Sequence, residues 1–171
     1  MDRRPITDAD RPAIADFIQQ RWRSKKVMSR GKPYYPHEHD GFIEWREEKI
    51  VGLLTLRCQG DQMELLTLNS MLEGQGIGSA LMLMAIEKAR ELNLSKVWVT
   101  TTNDALRGIG FYQRLGFRIT QVNVGAVDEA RKIKPEIPES GEGGIPIHDE
   151  IVLELKIQPS LNSGPGLCGQ L

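Results

Sequence analysis

The apolar positions of this chain fall into two rhythms. Residues 42–47, 50–58 and 62–69 are apolar, strand-like runs joined by Glu48-Lys49 and by Gln59-Gly60-Asp61, and they predict three antiparallel strands with tight connections. Residues 96–102 set Val97 and Val99 against Trp98 and Thr100, a period-two alternation that predicts another strand. Residues 3–6, 117–124 and 147–157 add shorter or weaker versions of the same signal. The helical rhythm is carried by Ile14, Phe17, Ile18 and Trp22, and again by Ile77, Leu81, Met84, Ala85, Ala89 and Leu92, each set spaced at three and four residues. Asp8 or Asp10 is positioned to cap the first helix, with Pro12 in its first turn, and Asn93 suits a left-handed stop after the second. A helix that Asp104 can cap, running to Leu115 and ending at Gly116, with Gly108 and Gly110 inside it as signs of close packing, and a short helix over 127–133 complete the pattern. Gly52, inside a strand, predicts a bulge or close packing.

The third strand runs through Gly74, Gln75, Gly76, Ile77, Gly78 and Ser79 into the long helix. The first N–H groups of a helix have no intrahelical partner and sit at the positive end of its dipole, and glycine lets a ligand approach that backbone closely, so a phosphate or pyrophosphate is the natural occupant. A P-loop requires Gly-Lys-Ser/Thr, whereas Gly78 is followed by Ser79 and Ala80. A dinucleotide fingerprint starting at Gly74 requires Gly or Ala where Ser79 stands. Neither motif fits.

The glycine turn, taken with residues 97–117, VWVTTTNDALRGIGFYQRLGF, closely resembles the GNAT superfamily of acetyl-CoA-dependent N-acetyltransferases, whose acyl-CoA loop reads Q/R-x-x-G-x-G/A. Phe111, Tyr112, Gly116 and Phe117 match the family's second element in place, and the resemblance covers about residues 5–155. Two positions depart from the pattern: Glu73 stands where Arg or Gln is usual, and Ala105 stands seven residues before Tyr112 where Asn is usual, with Asn103 two positions early and Gly108 at the usual small residue. The resemblance implies a mixed α/β fold: a mostly antiparallel central sheet, helices on both faces, and strands 62–69 and 96–102 splaying apart to form the acyl-CoA cleft.

It further implies acetyl transfer from acetyl-CoA directly to a primary amine of a small molecule or peptide, without a cysteine acyl-enzyme and without a metal. Leu66 and Leu68 would pair with the pantetheine arm, the Leu68 N–H stabilising the oxyanion. Gly74, Gln75, Gly76, Ile77, Gly78 and Ser79 would cradle the pyrophosphate, with Asn103 and Gly108 beside the cofactor. Tyr112 would protonate the departing thiolate, since a phenol near pKa 10 keeps its proton at neutral pH. Glu64 reads equally as a base acting through a water, oriented by Asn69 and Ser70, and as a solvated strand residue. The alternative reading is a non-catalytic acyl-CoA-binding or regulatory domain, motivated by Glu73 and Ala105.

A length of 171 residues suits one domain, expected over 1–157 with a flexible tail over 158–171. The formal charge of -1 gives no field that would mark a nucleic-acid binder. The basic run Arg21, Arg23, Lys25, Lys26 and Arg30 reads first as a solvated helix end and second as a patch for an anionic substrate or nucleic acid. No stretch reaches membrane-spanning length, Arg3 and Arg4 are followed by no apolar leader, and Cys58 and Cys168 form no metal-like pair, so a cytoplasmic protein is expected, with a homodimer compatible. Residues 31–41, GKPYYPHEHDG, read as a loop in which Tyr34, Tyr35 and His37 face the acceptor more plausibly than His37 to Asp40 bind a metal. Residues 135–146 read as a second loop, either a flap or a passive excursion.

Overall fold

The computed structural model describes residues 1–158. Its strands are β1 (Asp2–Pro5), β2 (Val27–Ser29), β3 (Lys32–Tyr34), β4 (Asp40–Arg46), β5 (Lys49–Gln59), β6 (Gln62–Ser70), β7 (Lys96–Thr102), β8 (Arg118–Asn123) and β9 (Glu150–Lys156). Its helices are α1 (Arg11–Trp22), α2 (Ile77–Glu91), α3 (Leu106–Arg114) and α4 (Ala126–Ile133). The expected tail, apart from Gln158, and Cys168 lie outside the described residues.

A seven-stranded sheet runs in the order β1-β4-β5-β6-β7-β9-β8, with β6 and β7 parallel and the other neighbours antiparallel. In the interior of the sheet, β5 is apolar almost without interruption from Ile50 to Leu56 because both faces of that strand are covered. On one face α1 packs Ile14 and Ile18 against Ile43 and Leu53. On the other, α2 buries Ile77, Leu81, Met82, Ala85, Ile86 and Ala89 over Leu54, Leu56, Met63, Leu65 and Val97, and α3 adds Tyr112 to the same core. Helices on both faces of a mixed sheet are the architecture the sequence predicts.

Gly52 shows why a strand interior lacks a side chain. A Cβ there would lie 2.5 Å from Ile77 Cγ2, so the start of α2 can press directly on β5. The expected bulge lies beside this glycine: Glu44 faces Gly52 and Trp45 faces Ile50, which leaves Val51 as the extra residue on β5. Asn93, with φ of 52°, ends α2 as expected. The β4–β5 turn is one residue earlier than predicted: Glu47 and Glu48 occupy the left-handed region at φ of 47° and 61°, the conformation a two-residue hairpin needs.

Four local readings are corrected. Residues 31–41 are not a plain loop, because Lys32–Tyr34 pair with Val27–Ser29 as a separate two-stranded hairpin. Asp10 precedes α1 but does not cap it; its carboxylate turns back to the Arg4 guanidinium (2.7 and 2.9 Å) and to the Thr7 N–H (2.8 Å). The paired Arg4 holds that carboxyl well below the usual range against the opposing effect of burial. Asp104 likewise does not cap α3: Ala105 is the capping position, and the Asp104 carboxylate accepts from the Glu142 N–H at 3.1 Å, tying down the loop before β9. Gly108 is not closely packed, since a Cβ there would meet only the Ala105 Cβ, at 3.9 Å.

Candidate active site

Pairing between β6 and β7 stops at Leu65 and Val99, while β6 continues to Ser70 and β7 to Thr102. The two strands therefore open into a gap beyond Leu65. Leu66 lies at the point of divergence, where the β5–β6 register shifts so that Leu56 faces Leu65 but Thr55 faces Thr67. A bulge adds one residue to one strand and increases local twist, so it helps turn β6 away from β7.

The direction of the free backbone groups follows from the ladder. The Leu54 carbonyl lies against Gly41 of β4, and the Met71 N–H donates to the Val51 carbonyl at 2.9 Å. In an antiparallel pair successive residues turn their polar groups to opposite sides, so Leu54 and Leu68, which face each other, do not exchange bonds. The Leu68 N–H and C=O point into the gap.

The gap leads to the glycine turn. Gly74 and Gly76 have φ of +72° and +68°, which glycine adopts without strain, and a Cβ at either would touch no atom within 4 Å, so the turn faces open space. Gly76 is the residue before α2, leaving the N–H groups of Ile77, Gly78 and Ser79 in the helix's unpaired first turn. The Ile77 side chain is fully buried, so only its backbone is available to a ligand. A Cβ at Gly78 would lie 3.8 Å from both Phe111 and Ser70, so α3 lies close to the turn. Gln75 accepts a hydrogen bond from Arg46, whose Nε also donates to the buried Glu44 at 2.8 Å, so the turn is tied to the sheet. The exposed Glu73 carboxylate pairs with Arg107, at the start of α3, at 2.7 Å.

Tyr112 lies in α3 with its ring 5.4 Å from Phe111 and 5.6 Å from Phe117. Burial pushes its phenol up to about 12. Asn103 is committed to the fold: its carbonyl accepts from the N–H groups of His148 and Asp149, and its amide donates to the Pro146 carbonyl at 2.9 Å. Its side chain is not free for a cofactor.

On the α1 face, just short of the gap, Glu64 is buried and both its oxygens are held: one by Arg57 Nε at 2.6 Å, the other by Ser29 Oγ at 2.5 Å. Ser29 Oγ also lies 3.2 Å from Thr100 Oγ1, the first β7 residue beyond the paired segment. The β2–β3 hairpin thus closes over the strands and roofs a cavity of about 490 Å³, with Arg57, Glu64 and Trp98 as its floor and Ser29, Arg30 and Tyr34 above. Arg30 stacks 3.9 Å from the Trp98 ring centre and Arg57 lies 4.7 Å from that of Tyr34. Tyr35 and His37 do not line this cavity; they sit at a turn around Pro36 with ring centres 6.1 Å apart. A second cavity of about 990 Å³ runs between α2 and the start of β4, away from the glycine turn.

Sequence reasoning did not reach Arg57, Ser29, Trp98 or Arg107. Arg57 had a signal, since a turn over 59–62 places it opposite Glu64; Ser29, on a three-residue strand, had none. Among the described residues the buried Asn69 Nδ2 has no hydrogen-bond partner, and no group of three or more His, Cys, Asp or Glu is placed to hold a metal ion.

Comparison with known proteins agrees with this geometry. The uncharacterized protein YxbD of Bacillus subtilis (strain 168) is 36% identical over 155 residues, covering 90% of this chain and 98% of that protein. The IAA acetyltransferase from Bacillus cereus ATCC 14579 superposes with a TM-score of 0.66 at 21% identity, covering 91% of this chain and 98% of the other. A Bacillus subtilis acetyltransferase in complex with CoA gives 0.62 at 19% identity, covering 92% and 100%. The model of the Acetyltransferase (GNAT) family matches residues 11–117, and with the splayed strands and the glycine turn inside that span, the chain belongs to the GNAT acetyltransferase family.

Proposed function

We propose that this chain transfers the acetyl group of acetyl-CoA directly to a primary amine of a small molecule or peptide. The observation that carries the reading is the gap beyond Leu65, which leads to the glycine turn, with a separate cavity beside it over the paired Glu64 and Trp98. The residues present fit an acyl-CoA: the turn is uncovered, Leu68 offers unused backbone groups along the gap, and the pantetheine amides can pair with them as an added strand. A structural neighbour in complex with CoA supports a ligand of this kind. When bound, acetyl-CoA supplies the activated acyl group.

The chain's own residues then have distinct tasks. The N–H groups at the start of α2 hold the pyrophosphate, aided by the helix dipole. The Leu68 N–H donates to the oxygen on which negative charge develops. Tyr112, neutral up to about pH 12, retains the proton needed by a departing sulfur. Glu64, held by Arg57 and Ser29, orients those two side chains at the amine's approach. Asn103 fastens the segment before β9.

Calorimetric titration of acetyl-CoA, with CoA and ATP as comparisons, on wild type and on Gly76→Asp tests the reading. Micromolar binding lost in the variant is expected, followed by amine acetylation that Tyr112→Phe lowers. Binding without turnover of any amine would favour the acyl-CoA-binding role, and no binding at millimolar acetyl-CoA would overturn both.

A further inference from the structure

The cavity on the α1 face carries more positive charge than its acids neutralise. Arg57 is matched by Glu64, and Lys96, on the adjoining strand, by Glu154 at 2.7 Å. Arg30 and Lys32 have no ion-pair partner among the described residues, although both line the cavity. Arg30 is exposed but anchored at two points. Its backbone N–H donates to the buried Glu150 carboxylate at 3.0 Å, and its guanidinium carbon sits over the ring of Trp98, itself only 5% exposed. A guanidinium stacked by its face keeps its N–H edge free, and that fork matches the two oxygens of a carboxylate or phosphate.

Its position matters as much as its charge. Arg30 follows Ser29, whose hydroxyl reaches both Glu64 and Thr100, the residue at which β7 leaves β6. Arg30 and Lys32 therefore line a cavity that adjoins the edge of the gap, within reach of the far end of an acceptor whose amine lies there. A volume of about 490 Å³ admits a small molecule or the end of a peptide. We infer that the acceptor is an amine that also bears an anionic group, a carboxylate or phosphate, bound by Arg30 against Trp98 with Lys32 beside it. This rests on the acetyltransferase reading above, and assigns Arg30, the last residue of the basic run, to substrate selection.

The test pairs acceptors with and without the anionic group: β-alanine with β-alaninamide, glycylglycine with glycylglycinamide, O-phosphoethanolamine with ethanolamine, and γ-aminobutyrate with γ-aminobutyramide. Each is assayed at saturating acetyl-CoA with wild type and Arg30→Gln, and acetyl-CoA affinity is measured calorimetrically for both proteins. The anionic member of at least one pair is expected to have kcat/KM roughly tenfold or more above its counterpart, and Arg30→Gln to erase that preference through KM with acetyl-CoA affinity unchanged. Carboxylate pairs and the phosphate pair separate the two anions. For any result without turnover, N-acetylglycine and N-acetylglycinamide are titrated into the CoA-saturated protein, where only the former should bind, and only with Arg30 present. Equal or inverted preference, or equal binding of the two N-acetyl compounds, overturns the inference while leaving acetyl transfer intact. Failure of acetyl-CoA itself to bind overturns the underlying reading instead.

Discussion

The two sides of the β6–β7 gap are built from different materials. The glycine turn is backbone, open to solvent, and joined to its surroundings by few side chains: Gln75 to Arg46 and Glu73 to Arg107. The opposite side is a buried network in which Glu64, Arg57, Ser29 and Thr100 come from four strands and hold one another. A site made of orphan N–H groups costs the fold little and is sensitive to any added side chain. A site made of a buried ion pair is part of the fold, and cannot be altered without leaving a charge unmatched. Changes on the turn side should therefore cost acetyl-CoA affinity with little loss of stability, and changes on the cavity side should cost stability with little loss of acetyl-CoA affinity.

The sharpest break comes from Gly76→Asp. Its φ of +68° already disfavours a Cβ, and a carboxylate within about 4 Å of a bound pyrophosphate costs roughly 4 kcal/mol at an effective dielectric of 20, or about a thousandfold in affinity. Calorimetry should register that loss while thermal unfolding shifts by only about 1–2 kcal/mol. A comparable loss of stability would mean that the turn is structural after all.

Glu64→Ala should invert the result. Removing one partner of a buried pair strands Arg57, at a cost of roughly 3 kcal/mol, and lowers Tm by roughly 10 °C. Acetyl-CoA affinity of the folded fraction should be unchanged. Measuring both on one preparation checks the contrast directly.

Tyr112→Phe tests the boundary between the two sides. A proton donor removed from the reacting sulfur should lower kcat about a hundredfold with little change in acetyl-CoA affinity. The same variant carries a stability signature. The phenol titrates near 10 when unfolded and at about 12 when folded, so burial of the neutral form is fully present below pH 10 and is lost as pH rises towards 12. Wild type should lose stability across that window, and Tyr112→Phe should lose less of it, as followed by denaturant unfolding at pH 9, 10 and 11.

The same division explains what could be read in the sequence. Local signals were sufficient for the turn side, because Gly74, Gly76 and the apolar stripe of α2 are contiguous and their spacing states a strand, a turn and a helix. The free N–H of Leu68 also follows from strand pairing. The cavity side depends on contacts between residues far apart in the chain, such as Ser29 with Glu64 and Arg30 with Glu150. The β2–β3 hairpin that brings them together has strands of three residues and a proline in one of them, too short and too polar for a period-two pattern. Asp104 and Asn103 show the same limit: each has a residue type suited to a local or ligand-binding role, and each is used instead to hold residues more than 35 positions away.

The smallest effect tests the departure at Glu73. A carboxylate beside an anion site should weaken binding, yet the Glu73–Arg107 pair places a cation there as well. Both side chains are largely exposed, so the pair contributes within about 0–1 kcal/mol to the fold and is weakened by salt. Glu73→Gln removes the negative charge beside the turn and leaves Arg107 with only the longer contact to Glu142, at 3.5 Å, so it should raise acetyl-CoA affinity a few-fold at low ionic strength, with the gain fading near 0.5 M salt. Arg107→Gln leaves Glu73 unmatched and should lower affinity by a similar factor. Opposite signs from the two variants would identify Arg107 as the cation standing in for the Arg or Gln usual at position 73. Equal losses would mean that the intact pair orders the turn, making even this side partly dependent on side chains.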